Sequence, residues 1–162
     1  MSEIDIDAYA QRPSVFPWPP LLWLGAMAVA WIAGQLLPLP WPGLHDLPAR
    51  IVGWAFGAAG VVLMIWGIAT LRQAKTTVRP DRGADVLVTS GPFWRFRNPI
   101  YLAHILIMLC FAELDKNAWF VIFAFVHAIL VTKLAIIPEE RHLEARFGDQ
   151  YRTYKARSRR WI

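Results

Sequence analysis

Two short polar motifs in this chain hold residue types that could act together on one ligand. The first is Arg97-Asn98-Pro99-Ile100-Tyr101, preceded by Gly91-Pro92-Phe93-Trp94-Arg95-Phe96; the second is Pro138-Glu139-Glu140-Arg141. Between them runs the most apolar third of the sequence, broken once near Asp115-Lys116-Asn117. A hairpin of two membrane helices would bring both motifs to one face of the bilayer. Two carboxylates, two arginines, an asparagine and a phenol would then surround a polar ligand at the lipid boundary.

Adjacent carboxylates at such a boundary repel and are costly to desolvate, so each needs a partner. Neighbouring residues on a helix point about 100° apart, so one glutamate can face a pocket while the other pairs with an arginine. Taken alone, Glu139-Glu140 would read as solvated interfacial charge; the arginine and asparagine opposite favour a site. Pro99 suits the first turn of a helix, where its missing N–H costs nothing. The amides of that turn present partial positive charge suited to a carboxylate. Glu140 and His104, one turn inside the third helix, are the candidate bases for an acceptor that must lose a proton, although His104 and His127 also suit plain polar packing. No CxxC or paired-histidine spacing points to a metal, and Cys110 stands alone, so no intrachain disulfide is expected.

These motifs depend on the apolar segments around them. The 162 residues are 56% hydrophobic and 18% charged, against about 45–50% apolar in a soluble domain. A membrane span needs about 20 apolar residues. Leu21 to Leu37, Ile51 to Leu71, Pro99 to Leu114 and Trp119 to Pro138 are the four apolar runs, the first and third somewhat short. They predict an all-α polytopic membrane protein of four transmembrane helices, in one domain over residues 1–162. After Pro138 the positions Leu143, Phe147, Tyr151 and Tyr154 keep helical spacing between basic flanks, which predicts a C-terminal amphipathic helix. The acidic start, without a cleavage signal, predicts that the first helix is retained.

The net charge of +5 is unevenly placed. Arginines and lysines gather between helices two and three and after helix four, whereas the other two connections hold only Arg50 and Lys116. Basic residues accumulate on the cytoplasmic side, so both termini are expected there. Because these charges sit at membrane ends and form no single stripe, nucleic acid is not an expected partner; the lipid bilayer is. Lys133 would snorkel to the same surface. Gly53 and Gly57 form a GxxxG spacing that permits close packing on helix one or another neighbour. Residues 72–98 form a long connection with a turn at Arg79-Pro80-Asp81-Arg82-Gly83, where Trp94 and Phe96 would anchor at the headgroups.

The paired motifs and the tail Phe147-Gly148-Asp149-Gln150-Tyr151…Tyr154…Arg160-Trp161-Ile162 resemble the isoprenylcysteine carboxyl methyltransferase and phospholipid methyltransferase family, over about residues 68–162. That resemblance implies S-adenosylmethionine as cofactor, held by Arg97, Asn98, Pro99, Tyr101, Glu139 and Glu140. It also implies an amphiphilic or lipid-like methyl acceptor. Asn98 stands where the family often has histidine, and Ala103 where glycine is common; the first removes a titrating group near neutral pH. Two other readings compete: an NADPH-dependent membrane reductase resembling the C-terminal half of sterol reductases, and a non-catalytic membrane scaffold.

Overall fold

A computed structural model of the protein describes residues 18–41, 43, 45–76 and 84–162. The turn expected at Arg79–Gly83 and the first 17 residues of the N-terminal segment lie outside them.

The described chain is helical, without strands. Helix α1 spans Trp18–Leu36 and α2 spans Leu47–Gln73, followed by a 3-10 turn at Gly91–Trp94. Helix α3 spans Pro99–Leu114 and α4 spans Ala118–Val131. A π-helical turn at Thr132–Ile136 then leads into α5, Ile137–Phe147, and α6 covers Asp149–Arg157. In space the order is α2, α3, α4, α1: α2 packs along α3, α3 along α4, and α4 along α1.

Among the described residues three helices are long and apolar enough to cross a membrane: α1, α2 and the continuous helix Ala118–Phe147. With 16 residues, α3 is about 24 Å long at 1.5 Å per residue, short of the roughly 30 Å hydrocarbon core. The apolar runs predict four spans; the third is the short one, framed by α2 and α4.

Glycine explains how close α2 comes to α3. A Cβ on Gly60 would lie 2.9 Å from Ile107 and 3.1 Å from the Ala103 carbonyl, and one on Gly57 would lie 2.7 Å from Cys110 Sγ. Gly53 and Gly67 face Glu113 and Ile100 in the same way. The GxxxG spacing is therefore part of a longer seam, and its partner is α3, not α1.

One sequence expectation changes in the C-terminal third. Pro138 lies within a continuous helix. Its ring would clash with the carbonyl four residues back, and the wide turn relieves this, the Ile137 N–H reaching five residues back to Thr132 O. The expected single amphipathic helix is two, because Gly148 adopts φ 52°, ψ −122°, a conformation that side chains with a Cβ avoid. That break turns the tail back toward the start of α3.

Candidate functional site

The start of α3, the 3-10 turn, α5 and the tail meet at one end of the bundle. Arg97 lies at the centre. Its Nε donates to Glu140 Oε1 at 3.3 Å, and its Nη1 donates to the carbonyls of Lys155 (3.0 Å) and Ser158 (2.6 Å). The Arg97 N–H donates to Arg159 O at 2.8 Å, and the Arg159 N–H returns to Arg95 O at 3.0 Å, making a parallel bridge between Phe96 and Arg159. Arg160 grips Glu140 bidentately, Nε to Oε1 at 2.9 Å and Nη2 to Oε2 at 2.6 Å. Such fork-on-carboxylate pairs are among the strongest protein hydrogen bonds. The carboxylate in turn raises the Arg160 pKa, chiefly through these hydrogen bonds.

Glu139, one position earlier, points elsewhere, as the helical offset requires. Its Oε1 accepts from the Tyr101 hydroxyl at 2.6 Å. The two glutamates thus have separate partners: Tyr101 for the first, two guanidiniums for the second. Asn98 precedes Pro99 at the start of α3 but makes no side-chain cap. Its Nδ2 donates to Arg160 O at 2.8 Å instead.

Further contacts hold the tail in place. The Tyr154 hydroxyl donates to Phe93 O at 2.7 Å, and Ser158 Oγ donates to Tyr154 O at 2.7 Å. Burial pushes the Tyr154 phenol up to about 12, and it raises Tyr151 as well, so both remain protonated near neutral pH. His142, 1% exposed, accepts at Nε2 from the Ala84 N–H at 3.0 Å, pinning the loop before Val86 to α5.

Several of these groups border a cavity of about 620 Å³. Pro19, Pro20 and Trp23 of α1 form one wall, Met64, Ile68 and Leu71 of α2 another, and Val86–Val88 with Phe93 a third. Arg97, Asn98, Pro99, Tyr101, His104, Glu139 and Glu140 all line it, as do His142, Tyr151 and Tyr154. Every site residue expected from the two motifs therefore borders one space. Arg160, Ser158, Tyr151 and His142 are not among the residues that the sequence assigns to the site. His142 is within reach of helical periodicity, since it lies three residues after Glu139 on α5. No periodicity connects Arg160 to Glu140, because Gly148 reverses the path between them. Among the described residues no group of three or more His, Cys, Asp or Glu side chains is arranged to hold a metal.

Fold and site together define an α-helical protein with helices long and apolar enough to cross a membrane and a largely apolar cavity at one end of the bundle, with a charged cluster at its border. The phospholipid methyltransferase family model matches residues 48–150, and the chain belongs to that family. It is also 37% identical over 65 residues to an uncharacterized protein of Haemophilus influenzae, a match covering 39% of this chain and 100% of that protein. No solved structure matches the chain.

Proposed function

We propose that this protein is an S-adenosylmethionine-dependent methyltransferase that acts on an amphiphilic, lipid-like acceptor at the cytoplasmic face of a membrane. The observation that carries the reading is the convergence of Arg97, Tyr101, Glu139 and Glu140 on one cavity, with Arg160 gripping Glu140, in a chain of the phospholipid methyltransferase family.

The residues present fit that cofactor. The volume lies within the roughly 300–1,000 Å³ of small-molecule sites, and the aromatic and aliphatic walls suit a nucleobase. Arg97 and Arg160 share the single carboxylate of Glu140, which leaves a local excess of one positive charge for a ligand carboxylate. Glu139 supplies the opposite charge for a cationic centre, with Tyr101 fixing its direction. The Tyr151 hydroxyl, buried without a partner among the described residues, offers a hydrogen bond inside the cavity. Bound there, S-adenosylmethionine would supply an electrophilic methyl group. Asn98 and Pro99 contribute to this site by shaping the start of α3 and by holding the tail. The bidentate grip of Arg160 supports Glu140 as a charge anchor in preference to a base. The unpartnered Nδ1 of His104 supports His104 as the group that takes a proton from a protic acceptor.

In this reading α3 completes a four-span bundle and both termini are cytoplasmic. The basic residues of the site end, set against Arg50 and Lys116 at the other, support that orientation. The deciding experiment is calorimetric titration of the purified protein in nanodiscs with S-adenosylmethionine and with NADPH. Binding of the first alone is expected; binding of NADPH alone would favour a reductase, and binding of neither a scaffold. Single cysteines at positions 45 and 115 should label from outside only, and one at 150 from inside only; labelling at 115 from the cytoplasm would overturn the topology.

A further inference from the structure

Three rings from three helices meet beside the cavity, deeper along the bundle than the charged cluster. Trp23 of α1 and His104 of α3 stack with planes 9° apart and centroids 4.5 Å apart. His127 of α4 lies next to His104, centroid to centroid 5.4 Å. His104 is 6% exposed and His127 1%. Trp23 Nε1, His104 Nδ1 and both ring nitrogens of His127 are buried without a partner among the described residues. They make up four of the six such side-chain atoms among the described residues, so the deficit is concentrated at one place. Unpaired polar atoms in an apolar interior are unfavourable, and membrane-embedded ionisable side chains usually mark function.

We propose that Trp23, His104 and His127 form a hydrogen-bonding subsite for the hydroxyl group of an amphiphile whose apolar part extends along the cavity wall toward lipid. This deepens the methyltransferase reading by naming the class of acceptor, and only its link to methyl transfer rests on that reading.

The chemical class follows from matching donors to acceptors. The indole N–H is only a donor, while each neutral imidazole offers one N–H and one lone pair. A hydroxyl group, with one donor and two lone pairs, satisfies both kinds. A carboxylate only accepts and would leave the imidazole lone pairs unmatched; an ammonium only donates and would leave the indole N–H unmatched. The guanidiniums of the site do not alter this, since their contacts lie in the charged cluster around Glu140 and the tail and none is with the three rings. Trp23 and His104 are shared between the subsite and the cavity lining, whose remaining wall here includes Met64 and Ile68, suited to a hydrocarbon.

The chain has four histidines, at positions 45, 104, 127 and 142, so ring-15N-histidine NMR in lipid nanodiscs resolves the site directly. Without added cofactor, the protein is titrated with 1-dodecanol, dodecane, dodecanoate and dodecylamine. Dodecanol should shift the ring nitrogens of His104 and His127 and leave His45 unmoved, whereas dodecane should shift neither imidazole. His127→Phe should raise the dodecanol midpoint about tenfold, and His127→Gln, which keeps a donor and an acceptor, should restore most of it. Should the phenylalanine variant fail to fold, the unmodified protein still decides. Indifference to dodecanol would overturn the proposal, as would equal shifts with dodecane or stronger ones with dodecanoate or dodecylamine. Dodecanol binding without S-adenosylmethionine binding would refute the methyltransferase reading and leave the subsite standing; the reverse pattern would do the opposite.

Discussion

Two asparagines stand directly before consecutive apolar helices, Asn98 before α3 and Asn117 before α4, and they act differently. Asn117 serves its own helix: its Oδ1 accepts from the Trp119 N–H at 3.0 Å, the ordinary cap. Its Nδ2 also donates to Ala30 O at 3.2 Å, fastening α1, where a Cβ on Gly34 would collide with the amide. Asn98 leaves its helix uncapped and directs its amide to Arg160, 62 residues away. The far end of the bundle is thus closed by a helix cap and by contacts between the ends of neighbouring helices, with Lys116 paired to Glu113 and lying over Trp41. The site end is closed by the tail, through long-range polar bonds around one carboxylate. A helix end held by its own cap is only a structural joint. One whose capping residue is diverted, beside a cavity, is arranged for something more.

Changes at the site end should therefore disturb the tail, and changes at the far end only stability. The largest effect is expected from Glu140→Gln, which removes the charge shared by Arg97 and Arg160. Breaking a buried pair on one side costs about 3–5 kcal/mol. Trypsin should then cut at Arg157 and Arg159 in nanodiscs much faster than in the unmodified protein, with cofactor affinity falling about tenfold to a hundredfold. A tail that stays resistant would mean that Glu140 does not organise this end.

Between the two ends lies the glycine seam. Gly60→Ala would force α2 away from a backbone carbonyl of α3, and overpacking of this kind costs about 1–3 kcal/mol. A Cβ on Gly25 of α1 would meet no atom of the described residues within 4 Å, so Gly25→Ala should be neutral or stabilise by about 0.5–1 kcal/mol. Thermal unfolding in one detergent separates the two; equal melting temperatures would show that the seam tolerates spreading.

The smallest and most direct test is the asparagine pair itself. Asn117→Ala should lower stability by about 1 kcal/mol and leave tail protection and cofactor affinity unchanged. Asn98→Ala should cost a similar amount, about 1 kcal/mol for one hydrogen bond, but should appear as faster tryptic release of the tail. Identical phenotypes would remove the distinction between the two ends.

Much of this is legible in the chain alone. Run lengths and hydropathy mark the helices and their approximate limits because an apolar segment long enough to cross a bilayer must satisfy its backbone internally. The two motifs are legible as neighbours because a hairpin of antiparallel helices returns its ends to one level, whatever the packing detail. Arg97, Tyr101, Glu139 and Glu140 needed no structure to be brought together. Tertiary structure alone decided how the charges divide: Tyr101 with Glu139, and Arg97 and Arg160 with Glu140. It also decided that a π-helical turn carries the helix through Pro138, and that Gly148 folds the tail back across the start of α3. The meeting of Trp23, His104 and His127 likewise required the packing of α1 against α4. Local pattern fixes what a residue does within a few turns of its own helix. Contacts such as Asn98 with Arg160 depend on the rotation and depth of whole helices, which are set by glycine clearances and the sum of many side-chain contacts, and no periodicity in the chain records them.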